Sequence, residues 1–357
     1  GVATLEEAVR VLEEAEDCSA CLAGHLEDQA RKGSEAPSPA SACMDFSEII
    51  GQDGAKRALE LAAAGGHNVI MVGPPGAGKS SLAKAMAGIL PPMTREESLL
   101  TSKIYSVAGL PSPGTGLVRR RPFRAPHYSA SLSAMIGGGG GEDIRPGEVT
   151  LSQNGILFLD EFGQIPKSVL ESLRGPMEDR KVVISRMRSK VEFPASFTLV
   201  AASNPCPCGY YGEGDRCRCT PGQRAAYLAK LSGPVMDRID LQVFVKSLNA
   251  KELIGRSDPV RRETSAGVRE RVMAAREIQR RRFGTEGIFT NAEMSSRQIE
   301  VYCPLSEECR QLMEKIVLRF GLSARAYIRM IKVARTIADL SGSGPILPGH
   351  LAEEASY

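Results

Sequence analysis

Gly73-Pro74-Pro75-Gly76-Ala77-Gly78-Lys79-Ser80 is the stretch that decides how the rest of this chain is read. It satisfies G-x-x-x-x-G-K-[ST], a loop whose glycines let backbone N–H groups converge on phosphate oxygens. Its flanks supply the context such a loop needs. Asn68–Val72 ahead of it is an apolar run of strand character, and Ser81–Ile89 behind it has helical character. A strand entering and a helix leaving would set the helix N-terminus, with its partial positive charge, against the phosphates. Gly73 through Ser80, with Ser81, are therefore the expected ATP-binding set. Lys79 is expected to reach the β- and γ-phosphates, and Ser80 to hold Mg2+. A chance glycine-rich turn is the competing reading, and it leaves the ordered flanks unexplained.

Working outward, Ile156-Leu157-Phe158-Leu159-Asp160-Glu161 is an apolar run ending in two acids. Such a strand delivers carboxylates to the C-terminal edge of an α/β sheet, where ligands sit. Asp160 is expected in the Mg2+ shell, with Glu161 orienting and deprotonating the attacking water. A strand ending in a solvated acid pair is the plainer alternative. Phe197–Ser203 runs into Asn204, an amide at the same edge that could bond the γ-phosphate or the water; a turn before Pro205 would also explain it.

These runs and Ile239–Val245 are continuous apolar segments alternating with helical ones, the pattern of a parallel sheet covered on both faces. From about Ser247 strand signals stop. Ser306 can cap a helix through Phe320 that Gly321 ends, and Ser323 can cap another running to Leu340. Lys181–Arg186 and Lys190–Phe193 alternate around a short Met-Arg-Ser tip and read as a β-hairpin inserted before the Asn204 strand. The expected fold class is α/β: a phosphate-loop core with a parallel sheet flanked by helices over 45–247, then an all-helical lid over 248–357. Residues 5–16 have the periodicity of an acidic amphipathic helix, and 31–43 are a Pro- and Ser-rich linker, so 1–44 form a separate leading segment.

Composition narrows the class. Hydrophobic residues make up 42% and charged ones 24% of 357 residues, which suits an ordinary globular protein. No run of about 18 apolar residues is present, so no membrane partner is expected. The net charge of +3 argues for nucleic acid only if the basic residues gather locally. The nine cysteines do not resemble a secreted disulfide framework. Cys206, Cys208, Cys217 and Cys219 fall in a C-x-C-x₈-C-x-C cluster, within a glycine-rich knuckle over 204–220. Four thiolates suit a structural zinc ion in a reducing cytosol, although C-x-C is tighter than the usual C-x₂-C, and buried free thiols are the alternative. Cys18 and Cys21 read as helix-face cysteines.

Arg238, in Asp237-Arg238-Ile239-Asp240, directly precedes the last strand. Arg325 lies two residues after the cap Ser323, where a cation opposes the helix dipole unless an anion offsets it. A phosphate partner accounts for both, one in cis and one from a neighbouring subunit; surface ion pairing would also do so.

At this point the sequence resembles a known family. Gly51-Gln52, Ala55-Lys56-Arg57-Ala58-Leu59-Glu60, Arg121-Pro122-Phe123-Arg124-Ala125-Pro126-His127, Pro146-Gly147-Glu148, Asn204-Pro205-Cys206-Pro207-Cys208-Gly209 and Ala334-Arg335-Thr336-Ile337-Ala338-Asp339 resemble the magnesium-chelatase-like AAA+ family in its ComM-like branch. The likeness covers roughly 45–355. It implies a cytoplasmic ATP hydrolase that self-associates into a hexameric ring. That ring would be a helicase driving branch migration of DNA in recombination during natural transformation, on single-stranded or branched DNA. It further implies Asn204 as first sensor, Arg238 as arginine finger and Arg325 as second sensor, and 1–44 as the remnant of a Lon-protease-like N-terminal domain. Val235-Met236 and Tyr128 depart from the family pattern without touching the hydrolysis residues.

In related motors a hairpin at this position points into the ring's pore. Arg186, Arg188 and Lys190 would there neutralise phosphates without reading sequence; a solvated surface hairpin is the alternative. Arg119–Arg121 with Arg124 form a second basic candidate. Arg269, Arg271, Arg276 and Arg280–Arg282 on a helix over 264–283 read as a solvated or subunit-facing surface. The rival function is a chelatase-type ATPase subunit that powers metal insertion through protein partners.

Overall fold

The computed structural model describes residues 44–110, 116–139, 144–185, 190–231, 233, 235–247, 262–284 and 286–357. The helix expected over 5–16, the linker over 31–43, Cys18, Cys21 and Cys43, and the hairpin residues Arg186 and Arg188 lie outside the described residues.

Among the described residues nine strands follow one another: β1 (Val69–Val72), β2 (Phe123–Arg124), β3 (Gly137–Gly138), β4 (Arg145–Pro146), β5 (Ile156–Leu159), β6 (Lys181–Ser185), β7 (Lys190–Pro194), β8 (Thr198–Ser203) and β9 (Leu241–Phe244). Five of them build one sheet in the order β2-β5-β8-β1-β9, with every pair parallel. The four strands expected from apolar runs are all there. Asn68, expected to open β1, stands just outside it. Its side chain instead accepts from the Leu199 amide and donates to Arg238 O, bridging the starts of two neighbouring strands. The fifth strand, β2, is two residues long and has no apolar run to announce it.

Side chains alternate faces along each strand, so the continuous apolar runs feed two cores. Val69, Met71, Ile156, Phe158, Val200 and Ala202 face one; Ile70, Leu157, Leu159, Leu199 and Ala201 face the other. Each fully buried aliphatic side chain contributes about 1.5–3 kcal/mol, which makes this double burial the main reason the sheet forms.

Helices α1 (Asp53–Gly65), α2 (Lys79–Ile89), α3 (Arg95–Val107), α4 (Leu132–Ile136), α5 (Glu148–Leu151), α6 (Lys167–Ser172), α7 (Arg174–Asp179) and α8 (Pro221–Leu231) interleave with the strands. Beyond β9 the described chain is helical: α9 (Ser265–Phe283), α10 (Ser296–Tyr302), α11 (Glu307–Phe320), α12 (Ala324–Leu340) and α13 (Pro348–Glu354). Ser306 accepts from the Cys309 amide at the start of α11, and Gly321 closes it in the left-handed region. Ser323 accepts from the Ala326 amide to start α12. Each such cap contributes about 1 kcal/mol. This helical region has its own core of Phe283, Met313, Ile316, Met330 and Ile331. Its first helix also lends Val268, Val272 and Ala275 to one face of the sheet layer.

That helix corrects an expectation in part, at Arg276 and Arg282, which are not exposed. Arg269 donates to Gly88 O and Arg276 to Ala63 O, so these two arginines meet the carbonyl ends of α2 and α1, while Arg271 pairs with the Glu60 carboxylate. Arg269, Arg271, Arg280 and Arg281 remain exposed, the last two paired with Glu277. Cations favour helix C-termini, where unpaired carbonyls carry partial negative charge.

Candidate nucleotide-binding site

β1, β8 and β5 are neighbours in a parallel sheet, so the residues that follow them emerge at one edge. Gly73 follows β1, Asn204 follows β8 and Asp160 follows β5. Lys79 opens α2, where the loop turns into helix. Its ammonium donates to Gly73 O at 2.6 Å, Pro74 O at 2.9 Å and Asn204 Oδ1 at 3.2 Å. Burial lowers its pKa below the ordinary lysine value, and the Asp160 carboxylate opposes that shift. The Ser80 hydroxyl donates to Asp160 Oδ2 at 2.9 Å, while Asp160 Oδ1 accepts the Glu161 amide at 2.8 Å. Lys79 with Asn204 and Ser80 with Asp160 are thus two hydrogen-bonded pairs, set side by side because Lys79 and Ser80 are consecutive and β8 and β5 are neighbours.

Glu161 adopts φ 49°, the left-handed region that costs a residue with a side chain roughly 1–2 kcal/mol. The strain sits on the residue expected to act on water, where a forced carboxylate direction is of use.

The residues present fit ATP with Mg2+. An ammonium held by two loop carbonyls and an amide can exchange those weak neutral partners for phosphate oxygens, which bind it more strongly. A serine hydroxyl beside a carboxylate is the hard oxygen donor pair that magnesium accepts.

The two arginines meet elsewhere. Arg238 pairs with Glu178 Oε1, and Arg325 Nη2 lies 4.0 Å from the same oxygen. Arg329, one turn further along α12, donates to Met236 O and Ile239 O and so ties α12 to the turn that bears Arg238. Glu178 sits on α7 and no motif points to it, so sequence reasoning had no signal for this meeting point.

Cys206, Cys208, Cys217 and Cys219 come together with their sulfurs all within 4.8 Å of one another. The backbone amides of Tyr210 and Arg218 help lower the Cys208 thiol to about 6.

The inserted hairpin exists as β6 paired antiparallel with β7. Lys190 is exposed there and lies 3.8 Å from Glu192. The other basic candidate stretch is partly tied down. Arg121 bonds Glu97, Pro91 O and Asn154 O, and Arg124 makes a bidentate pair with Glu148. A second insertion, the β3–β4 pair, was not foreseen, because two-residue strands leave no periodic signal.

A parallel sheet with the phosphate loop after its β1 strand, an acid pair after β5, a polar amide after β8 and a helical C-terminal region defines a phosphate-loop protein of the AAA+ class. The family comparison narrows this further. The family model described as magnesium chelatase, subunit ChlI, matches residues 45–253, and that of the ChlI C-terminal region matches 262–357. The chain belongs to this magnesium chelatase-like family. It is 46% identical over 314 residues to the competence protein ComM of Haemophilus influenzae, covering 88% of this chain and 60% of ComM. It is 44% identical over 328 residues to the YifB protein of Escherichia coli K12, covering 90% of this chain and 63% of YifB. A more distant match, 26% over 212 residues, is the DNA replication licensing factor Mcm2 of Drosophila melanogaster, with 56% of this chain and 20% of Mcm2 covered. The chain therefore spans about six-tenths of the length of its nearer relatives. Among the described residues no helix is long and apolar enough to cross a membrane.

Proposed function

We propose that this chain is the ATP-hydrolysing part of a ring-forming DNA motor of the ComM type. The observation that carries the reading is the two adjacent contacts Lys79–Asn204 and Ser80–Asp160, with Glu161 next to Asp160 on the chain. Lys79 gives up its loop carbonyls for the β- and γ-phosphates. Ser80 and Asp160 would hold Mg2+, which when bound would neutralise charge on the phosphate oxygens. The Glu161 carboxylate accepts a proton from the attacking water, and Asn204, released by Lys79, bonds the γ-phosphate or that water.

Arg238 and Arg325 share Glu178, which favours placing both on one surface that meets a neighbouring subunit's nucleotide. Glu178 then holds them until a phosphate, a stronger anion, displaces it. This reading implies a ring, with a hexamer as the expected size. DNA is the expected partner because the matched relatives include a competence protein and a replication licensing factor. The hairpin that carries Lys190 offers an exposed cation beside Arg186 and Arg188 in sequence.

ATPase activity measured at several protein concentrations, with and without single-stranded and branched DNA, tests the whole reading. Hydrolysis that rises with protein concentration and with DNA supports it. Hydrolysis indifferent to both DNA forms, with no DNA binding, would replace it by the chelatase-type reading, in which a protein partner takes the place of DNA.

A further inference from the structure

The four-cysteine knuckle is built into the nucleotide site at three points. It begins two residues after Asn204, the partner of Lys79. Gly209, inside the knuckle, lies against the phosphate loop: a Cβ there would stand 2.6 Å from Cδ of Pro75. Its φ of 86° also requires glycine, so the contact and the turn are specified together. The helix that leaves the knuckle, α8, carries Tyr227, whose hydroxyl lies 3.2 Å from Ser203 Oγ. The same ring lies so close to Gly163 that a Cβ at 163 would come within 2.6 Å of the hydroxyl. Gly163 is two residues past Glu161.

The sulfurs have the spacing of a single bound ion. Cys206 and Cys208 stand 3.4 Å apart, Cys208 and Cys217 3.7 Å, and Cys206 and Cys217 3.8 Å. Four thiolates about 2.3 Å from a tetrahedral zinc lie about 3.8 Å from each other. An iron–sulfur cluster spreads its four thiolates over two or more irons and so needs some of them further apart.

We infer that Cys206, Cys208, Cys217 and Cys219 bind one zinc ion, and that its occupancy positions the phosphate loop and Asn204 through Gly209–Pro75 and Tyr227–Ser203. The inference rests on the reading of the loop as the nucleotide site, and the knuckle thereby becomes a positioning element for that site. The ion contributes no chemistry to hydrolysis, since four sulfurs leave it no open position.

Elemental analysis of protein purified under reducing conditions should give one zinc per chain. Stripping that zinc with a zinc-selective chelator should raise amide hydrogen exchange in peptides covering 73–79 and 204–212 at least tenfold, with no nucleotide present. It should also weaken binding of a fluorescent ATP analogue about tenfold in excess magnesium. Zinc added back should restore both. Cys219→His, which keeps a fourth ligand, should retain zinc and protection, whereas Cys219→Ser should lose both. Absence of stoichiometric zinc overturns the inference, as does unchanged protection of 73–79 after stripping. Because the exchange measurement needs no nucleotide, it decides this point even if the zinc-loaded protein fails to bind the ATP analogue, a result that would sink the nucleotide reading alone.

Discussion

The Ser80 hydroxyl donates a 2.9 Å hydrogen bond to Asp160 Oδ2 across 80 residues of chain. The pair joins the start of the helix after β1 to the end of β5, with β8 lying between the two strands. Substituting Ser80→Ala should leave the fold intact while removing one of the two oxygens meant for magnesium. Nucleotide binding should then lose most of its dependence on magnesium, which titration calorimetry with and without the ion would read.

Lys79 bonds Gly73 O, Pro74 O and Asn204 within the loop, so a thermal melt of Lys79→Ala is needed beside its binding measurement. Lys79→Ala removes charge-assisted bonds to phosphate worth about 3 kcal/mol or more together, roughly a hundredfold in affinity. Equilibrium binding of a labelled ATP analogue measures this, and near-wild-type affinity would rule out the assigned role.

Glu161→Gln keeps the backbone and the shape of the side chain but cannot take a proton. Turnover should fall by about 10²–10⁴-fold with binding retained. Glu161→Gly should be equally inactive yet no less stable than wild type, because glycine adopts φ 49° without the steric cost. A thermal melt of the two variants side by side separates strain from chemistry.

Arg238→Ala should abolish hydrolysis in a uniform assembly. Mixing it with Lys79→Ala subunits should recover part of the activity, since each variant supplies the group the other lacks. Mixed rings that recover nothing would place Arg238 outside the neighbour's site. Glu178→Gln should do the opposite of Arg238→Ala and raise basal hydrolysis severalfold, by releasing both arginines from their shared carboxylate.

Glu354 gives a pH dependence with a definite sign. Burial holds its carboxyl up at about 8, Arg329 opposes that rise, and Asp240 adds to it. An unfolded glutamate titrates near about 4.3. The folded chain therefore retains a proton that the unfolded chain releases, and stability should fall as pH rises from there to about 8. Urea midpoints at three pH values in this window would show the slope, and Glu354→Gln should flatten it.

Much of this was legible in the residues themselves, and for reasons that can be named. The phosphate loop is a local motif whose flanks test it, and Ser306, Gly321 and Ser323 mark helix ends because capping is local chemistry. What stayed hidden depends on distant partners. The partners of Arg269 and Arg276 on α9 stayed hidden, since periodicity cannot say that a cation will meet the carbonyl end of another helix. Strand β2 is held by β5 and not by its own composition. Glu178 and Tyr227 gain their meaning only from residues that tertiary packing brings to them.

One close approach has a wider consequence. A methyl group on residue 73 would stand 2.2 Å from Val245 O, just beyond the end of β9. The loop and that strand have no clearance between them, so neither shifts sideways alone. Arg238 lies just before the opposite end of β9. Four residues of strand are therefore all that separate the arginine's turn from the backbone packed on the first glycine of the loop.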